Sequence, residues 1–187
     1  MPDSLKGHFL IAGCRLRDPN FFKTAVLIIE HSEDGAMGLV VNRPLSVTVA
    51  RVLSGQFDLP EKNDLVYMGG PVEPAALFIL HDQDGDDSEE TSVIPGLYVA
   101  SCVETFESVV RAAANDEPVQ YRVFAGCAGW GAGQLEGELE RGDWLLHEAA
   151  EDYIFHNDPY SLWDNLVNAV HAAHRLLPQH RADPELN

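Results

Sequence analysis

Cys127 lies in Ala125-Gly126-Cys127-Ala128-Gly129, a thiol flanked by small residues. A strand-like stretch (Tyr121 to Phe124) precedes it and a helix-like stretch (Gln134 to Leu139) follows. That order resembles a nucleophile elbow in which a small residue replaces the first glycine. Asp143 or Asp152, then His156 or His171, come later in the acid-then-histidine order of such sites. The chemistry would be hydrolysis or group transfer, with Cys127 or His31 as the reactive group. The competing reading is a buried free cysteine, and it is favoured because the preceding strands do not form a parallel α/β sheet. No catalytic residue is therefore assigned.

Metal chemistry fares no better. His171 and His174 stand three apart on one helix and lack a third ligand. His147-Glu148 opens like a zincin motif, but Glu151 occupies the place of the second histidine. The acidic loop Asp82 to Glu90 tempts a calcium reading; Asp87 then stands where glycine is required and Val93 where glutamate is. No metal or cofactor is predicted.

Two further groups suit recognition. Arg43 ends a strand and could hold a carboxylate or phosphate in bidentate fashion. The alternative is an ion pair with Glu30 or Glu138. Gly126, Gly129, Gly131 and Gly133 surround Trp130 in what reads as a strand, a glycine corner and a short helix. Free N–H groups at that helix start would suit an anion. The structural alternative is a corner that seats Trp130 in the core.

The elements that must position these groups follow from periodicity and turn signals. Strands are expected at His8 to Ala12, Thr24 to His31, Ala36 to Asn42, Leu65 to Met68, Ala75 to His81, Leu97 to Ser101 and Trp144 to His147. Thr24 to His31 is apolar on both faces, as in a central strand covered on two sides. Asp34-Gly35 supplies a hairpin turn, and Tyr153 to Phe155 extends or pairs with the last strand. A short helix is expected from Ser46, as its cap, to Ser54. A second opens on a Ser101/Glu104 capping box and ends near Ala114. A third starts at Asp158-Pro159 and buries Leu162, Leu166, Val170, Ala173 and Leu177. Residues 179–187 read as a frayed tail. Strands following one another with helices inserted singly make an α+β pattern in one domain, residues 1–187.

The chain has 187 residues, with 30 acids against 12 Lys and Arg, for a net charge of −18. Such a surface repels phosphate backbones and anionic membranes. Arg15, Arg17 and Lys23 are the nearest approach to a basic patch, so direct nucleic-acid binding is not expected. Three scattered cysteines argue against a disulfide framework. No apolar run is long enough to span a bilayer, and a soluble cytoplasmic protein is expected.

The segments GHFLIAG (from Gly7), LRDPNFFKTAVLIIEHSEDGAMGLVVNRP (from Leu16), VYMGGPV (from Val66) and FAGCAGWGAGQLEGEL (from Phe124) occur in this order, followed by DWLLH (from Asp143) and HNDPYSLWDNL (from His156). Together they resemble the YqgE/AlgH family, also catalogued as UPF0301. The resemblance implies one compact domain: a strongly bent, mostly antiparallel sheet or flattened β-barrel with helices packed outside. It implies a cytosolic bacterial protein and no established reaction. One branch is linked by name to regulation of alginate production, members are loosely called transcriptional regulators, and they often lie beside a gene for a nuclease-like protein. Two departures stand out: the family carries proline near Cys14 and tyrosine at the place of Cys127. The polar and glycine positions inside the resembling segments are Glu30, His31, Asn42, Arg43, Gly69, Gly70, Trp130, Gln134 and Glu138. They form the candidate site for a protein partner or small anionic ligand; a concave pocket lined by Arg43, Gly70 and Gln134 would favour the ligand reading, and a filled, ion-paired corner would count against it.

Overall fold

The computed structural model describes residues 4–55, 57, 62–83 and 91–176. Most of the acidic loop and the expected frayed tail lie outside the described residues. The remainder is a ten-stranded sheet with five α-helices. β1 (His8–Ala12), β2 (Ala25–Ser32) and β3 (Gly35–Val40) run antiparallel to their neighbours. β2 is the central strand its sequence suggests. Ala25, Leu27 and Ile29 pack into one core cluster, while Val26 and Ile28 pack into another on the opposite face.

β4 (Pro44–Thr48) pairs with β5 (Leu65–Met68), and α1 spans Val49–Leu53. The helix expected from Ser46 therefore starts late. Thr48, not Ser46, accepts the capping bond, from the Arg51 N–H, and the residues before it pair as strand. β6 (Val72–His81), β7 (Thr91–Ile94) and β8 (Leu97–Ala100) follow. β7, a short edge strand, has no counterpart in the sequence reading. α2 (Val103–Ala114) begins after Cys102 with no side-chain cap, so the Ser101/Glu104 capping box does not form.

β9 (Tyr121–Gly131) corrects the glycine corner. The strand continues through Gly126 and Gly129, and the chain turns only at Gly133, φ +70°, before α3 (Gln134–Glu140). Gly126, at φ +71°, is needed for approach: a Cβ there would sit 2.7 Å from the Gly70 carbonyl oxygen. β9 joins β3, β5 and β6, the contact with β5 being parallel.

β10 (Trp144–Glu148) pairs with β1 at one edge of the order β10-β1-β2-β3-β9-β6-β8-β7. The sheet folds over on itself. β7, at the far edge, comes so close to the start of β1 that a Cβ on Gly7 would lie 2.9 Å from Ile94. The bend encloses Phe9, Leu27, Val93 and Phe124, closed by α5 (Leu162–Leu176) through Leu162, Leu166 and Val170. Ala173 is exposed, contrary to the expected stripe. α5 begins three residues later than Pro159, because Asp158 instead caps a turn by accepting from the Tyr160 N–H. Tyr153 lies in α4 (Glu151–Ile154), not in a strand. α1 and α2 cover a third cluster with Val66, Ile79 and Val123.

Candidate functional site

All the expected site residues except Gly69 and Gly70 divide between two places. The first is the corner where β9 meets α3. Trp130 is 7% exposed, stacked on Phe21 at 6.2 Å and edge-on to Trp144 at 6.0 Å between ring centres. Glu138 Oε2 accepts from both indoles, at 2.9 Å from Trp130 and 2.8 Å from Trp144. Gln134 Nε2 donates to Glu138 Oε1 at 3.0 Å, and Gln134 Oε1 accepts from the Gly131 N–H. One helical turn separates Gln134 from Glu138, which is why both reach the same end of β9. A carboxylate holding two indole N–H groups is a charge-assisted clamp.

His31 belongs to the same region. Its Nδ1 accepts from the Leu5 N–H at 3.1 Å, which places the proton on Nε2, 2.8 Å from Glu136 Oε1. The Glu136 carboxyl is held below its ordinary range, first by a bond from its own backbone N–H and then by His31. Glu30, His31, Asp34, Met37, Thr91 and Trp130 border an open groove of about 500 Å³. Its ionisable wall is mixed, with Glu30 and Asp34 against Lys6 and His31, and the rings of His31 and Trp130 are already engaged.

The second place is a pocket of about 420 Å³ lined by Lys23, Asn42, Arg43, Leu45, Met68 and Tyr160, with Pro44 between. Arg43 makes no ion pair with Glu30 or Glu138. Its Nη1 donates to the Asn20 carbonyl at 2.6 Å and its Nη2 to the Phe22 carbonyl at 2.9 Å. These bonds use two of a guanidinium's five donors and fix its plane. Partial burial draws the Arg43 pKa down from its ordinary value. Lys23, at φ +52°, extends its ammonium over Trp163 at 4.8 Å. Asn42 is structural: Oδ1 accepts from the Ala25 N–H and Nδ2 donates to the Lys23 carbonyl. Nearby, buried Arg122 stacks on Tyr67 at 4.6 Å and donates to the Val41 and His156 carbonyls. Burial raises the Tyr67 hydroxyl pKa, with Arg122 opposing it and Tyr160 reinforcing it.

Gly69 and Gly70 serve the crossing of backbones. A Cβ on Gly69 would sit 2.1 Å from the Gly126 carbonyl oxygen, and one on Gly70 would sit 2.3 Å from the Cys127 backbone. Arg43, Gly70 and Gln134 do not converge on one pocket. Gly70 is packed against β9, and Gln134 bonds in the Trp130 corner. Cys127 is 5% exposed, and burial first, then Glu73, pushes its thiol pKa up, away from the thiolate a nucleophile needs. Asp143 pairs with Arg141, and the His156 ring bonds within its own turn. The side chain of His174 lies outside the described residues, and among those described no three His, Cys, Asp or Glu gather as a metal site. Sequence reasoning missed Lys23 and Tyr160 as pocket residues. The run Asn20-Phe21-Phe22-Lys23, with its exposed aromatic beside a cation, was the signal available.

The AlgH-like family model matches residues 9–175. A UPF0301 protein of Myxococcus xanthus is 40% identical over 164 residues, covering 86% of this chain and 88% of that relative. One from a Marinomonas species is 39% identical over 158 residues, 82% of each. The solution structure of the AlgH protein from Pseudomonas aeruginosa superposes with a TM-score of 0.75 at 30% identity, covering 96% of this chain and 97% of that one. A crystal structure from Corynebacterium diphtheriae shares the fold, with a TM-score of 0.71 at 24% identity over 88% of this chain and 86% of that one. With the match running from β1 to the end of α5, the chain belongs to the AlgH-like, UPF0301 family.

Proposed function

We propose that this is a non-enzymatic cytoplasmic protein that works by binding an anionic group, on a small ligand or a protein partner, in the Lys23–Arg43 pocket. The observation that carries the reading is a guanidinium held in place by two loop carbonyls in an apolar-walled concavity that Lys23 also lines, on a protein of net charge −18. The overall field disfavours anions, so affinity there must come from these local cations. Orienting Arg43 before a ligand arrives lowers the ordering cost of binding. Three free thiols, Cys14, Cys102 and Cys127, support a reducing compartment. A regulatory role would follow if occupancy controls a partner. Titration with glutarate, benzoate and inorganic phosphate, followed by NMR shifts, tests the reading. At least one anion should move Lys23 and Arg43 resonances, with the effect lost in Arg43→Gln. No shift from any of the three would remove it.

A further inference from the structure

We infer that the anion taken by this pocket is carried on an acidic peptide segment that also bears apolar side chains, with Phe22 and Tyr160 as its aromatic contacts. The inference rests on the anion-binding reading above and goes further in naming the ligand as a protein segment. Among the described residues, Tyr160 at 77% and Phe22 at 68% are the most exposed large hydrophobic side chains. Both belong to this locality: Tyr160 lines the pocket, and Phe22 directly precedes Lys23 and gives its carbonyl to Arg43. Surface aromatics beside arginine are the composition of interface hot spots.

The loop that presents Phe22 is held from several sides. Asp18 Oδ1 accepts from the Asn20 N–H, Arg43 holds the Asn20 and Phe22 carbonyls, and the Thr24 hydroxyl donates to the Phe21 carbonyl. Asn42 holds the Lys23 carbonyl. Phe22 is thus displayed by an ordered backbone, and little ordering remains to oppose docking. Charge points the same way. From Gly13 to Thr24 the chain carries Arg15, Arg17 and Lys23 against the single acid Asp18, while the whole chain has 30 acids to 12 bases. The pocket, about 420 Å³, takes one or two side chains, so a longer ligand must continue over the rim toward Phe22. Oligonucleotides would also offer anions and stacking faces, but a polyphosphate meets the −18 field along its whole length.

The test uses a short fluorescent peptide alternating Asp or Glu with Leu and Phe, read by anisotropy on the full chain. Two control peptides replace the acids by Asn and Gln, or the apolar residues by Ser. The parent peptide should bind more tightly than glutarate, and each replacement should weaken it about tenfold or more. Phe22→Ser should weaken the peptide by a similar factor and leave glutarate unchanged, because only the peptide reaches the rim. Arg43→Lys should weaken both. The inference is overturned if the parent peptide binds no better than glutarate, if Phe22→Ser does not change its affinity, or if an oligothymidine binds more tightly. Glutarate binding that depends on Arg43 alongside any of those results would leave the anion site standing. Failure of glutarate, benzoate, phosphate and peptide together would remove both.

Discussion

At the Trp130 corner the polar groups are spent on one another: Glu138 serves two indoles and Gln134, and His31 serves Leu5 and Glu136. At the Arg43 pocket the guanidinium gives two donors to a loop and has others left for a ligand beside an exposed tyrosine. Both regions are built from segments that resemble the family, and both contain a charged group among aromatics. Their difference lies in what satisfies the charge. A carboxylate ringed by N–H donors is complete, whereas a cation whose partners are backbone carbonyls still lacks a counter-charge. Substitutions in the corner should therefore cost stability and spare binding, and those in the pocket should do the reverse.

The largest effect belongs to the glycines that let β9 cross the backbone at Gly69-Gly70. Gly70, at φ +155°, leaves 2.3 Å between a new Cβ and the Cys127 backbone. Gly70→Ala should cost more than about 4 kcal/mol and sharply reduce the soluble yield. Gly133 makes the contrast, since at φ +70° a Cβ there meets open space. Gly133→Ala should cost only about 1–2 kcal/mol in urea unfolding, the expense of a left-handed backbone alone. Equal losses at the two positions would mean that close packing is not what Gly70 provides.

Next in size is the clamp. Glu138→Leu leaves the Trp130 and Trp144 indole N–H groups without their acceptor. A loss of about 2–4 kcal/mol is expected, read by tryptophan fluorescence during urea unfolding. Glu138→Gln retains one carbonyl oxygen and should lose about half as much. Neither change should alter glutarate or phosphate affinity. Weaker anion binding in Glu138→Leu would join the two regions that the geometry separates.

How far these regions were legible in the sequence depends on the kind of signal. β1, β5 and β10 follow from alternation and turn residues, whereas the glycines around Trp130 left open whether its indole is buried. The length of β9 did not follow either, because glycine in an extended strand and glycine in a turn look alike until their neighbours are known. The partners of Arg43 were illegible for a different reason: carbonyls of Asn20 and Phe22 carry no residue-type signature. Tyr160 reaches the pocket from the turn before α5, and no local pattern joins it to Arg43. The division of one residue set into two sites arises from tertiary crossing, which periodicity does not encode.

On the open side, Arg43→Gln should cost about 1 kcal/mol of stability, since two hydrogen bonds to an exposed loop are lost and water replaces them. Its effect on anion affinity should be larger, about tenfold or more. Isothermal titration beside urea unfolding separates the two numbers. A stability loss matching that of Glu138→Leu, with anion affinity unchanged, would make Arg43 a loop staple and close the pocket as a site.

The smallest expected effect returns to the closed side, at His31 and Glu136. The folded Glu136 carboxyl is held down first by its own backbone N–H and then by the His31 hydrogen bond. A carboxyl whose folded pKa is depressed contributes stability that is fully present above its unfolded value, about 4.3, and is lost as pH falls through the folded value. Wild type should therefore lose slightly more stability than Glu136→Gln between about pH 5 and pH 3, the variant having no such proton to bind. Because the Glu136 side chain is 40% exposed, the difference should be slight and should shrink with added salt. Parallel acid-limb unfolding curves for the two proteins would show that neither the backbone N–H nor His31 favours the ionised Glu136 in the fold, leaving the indole clamp as the closed region's charged contact.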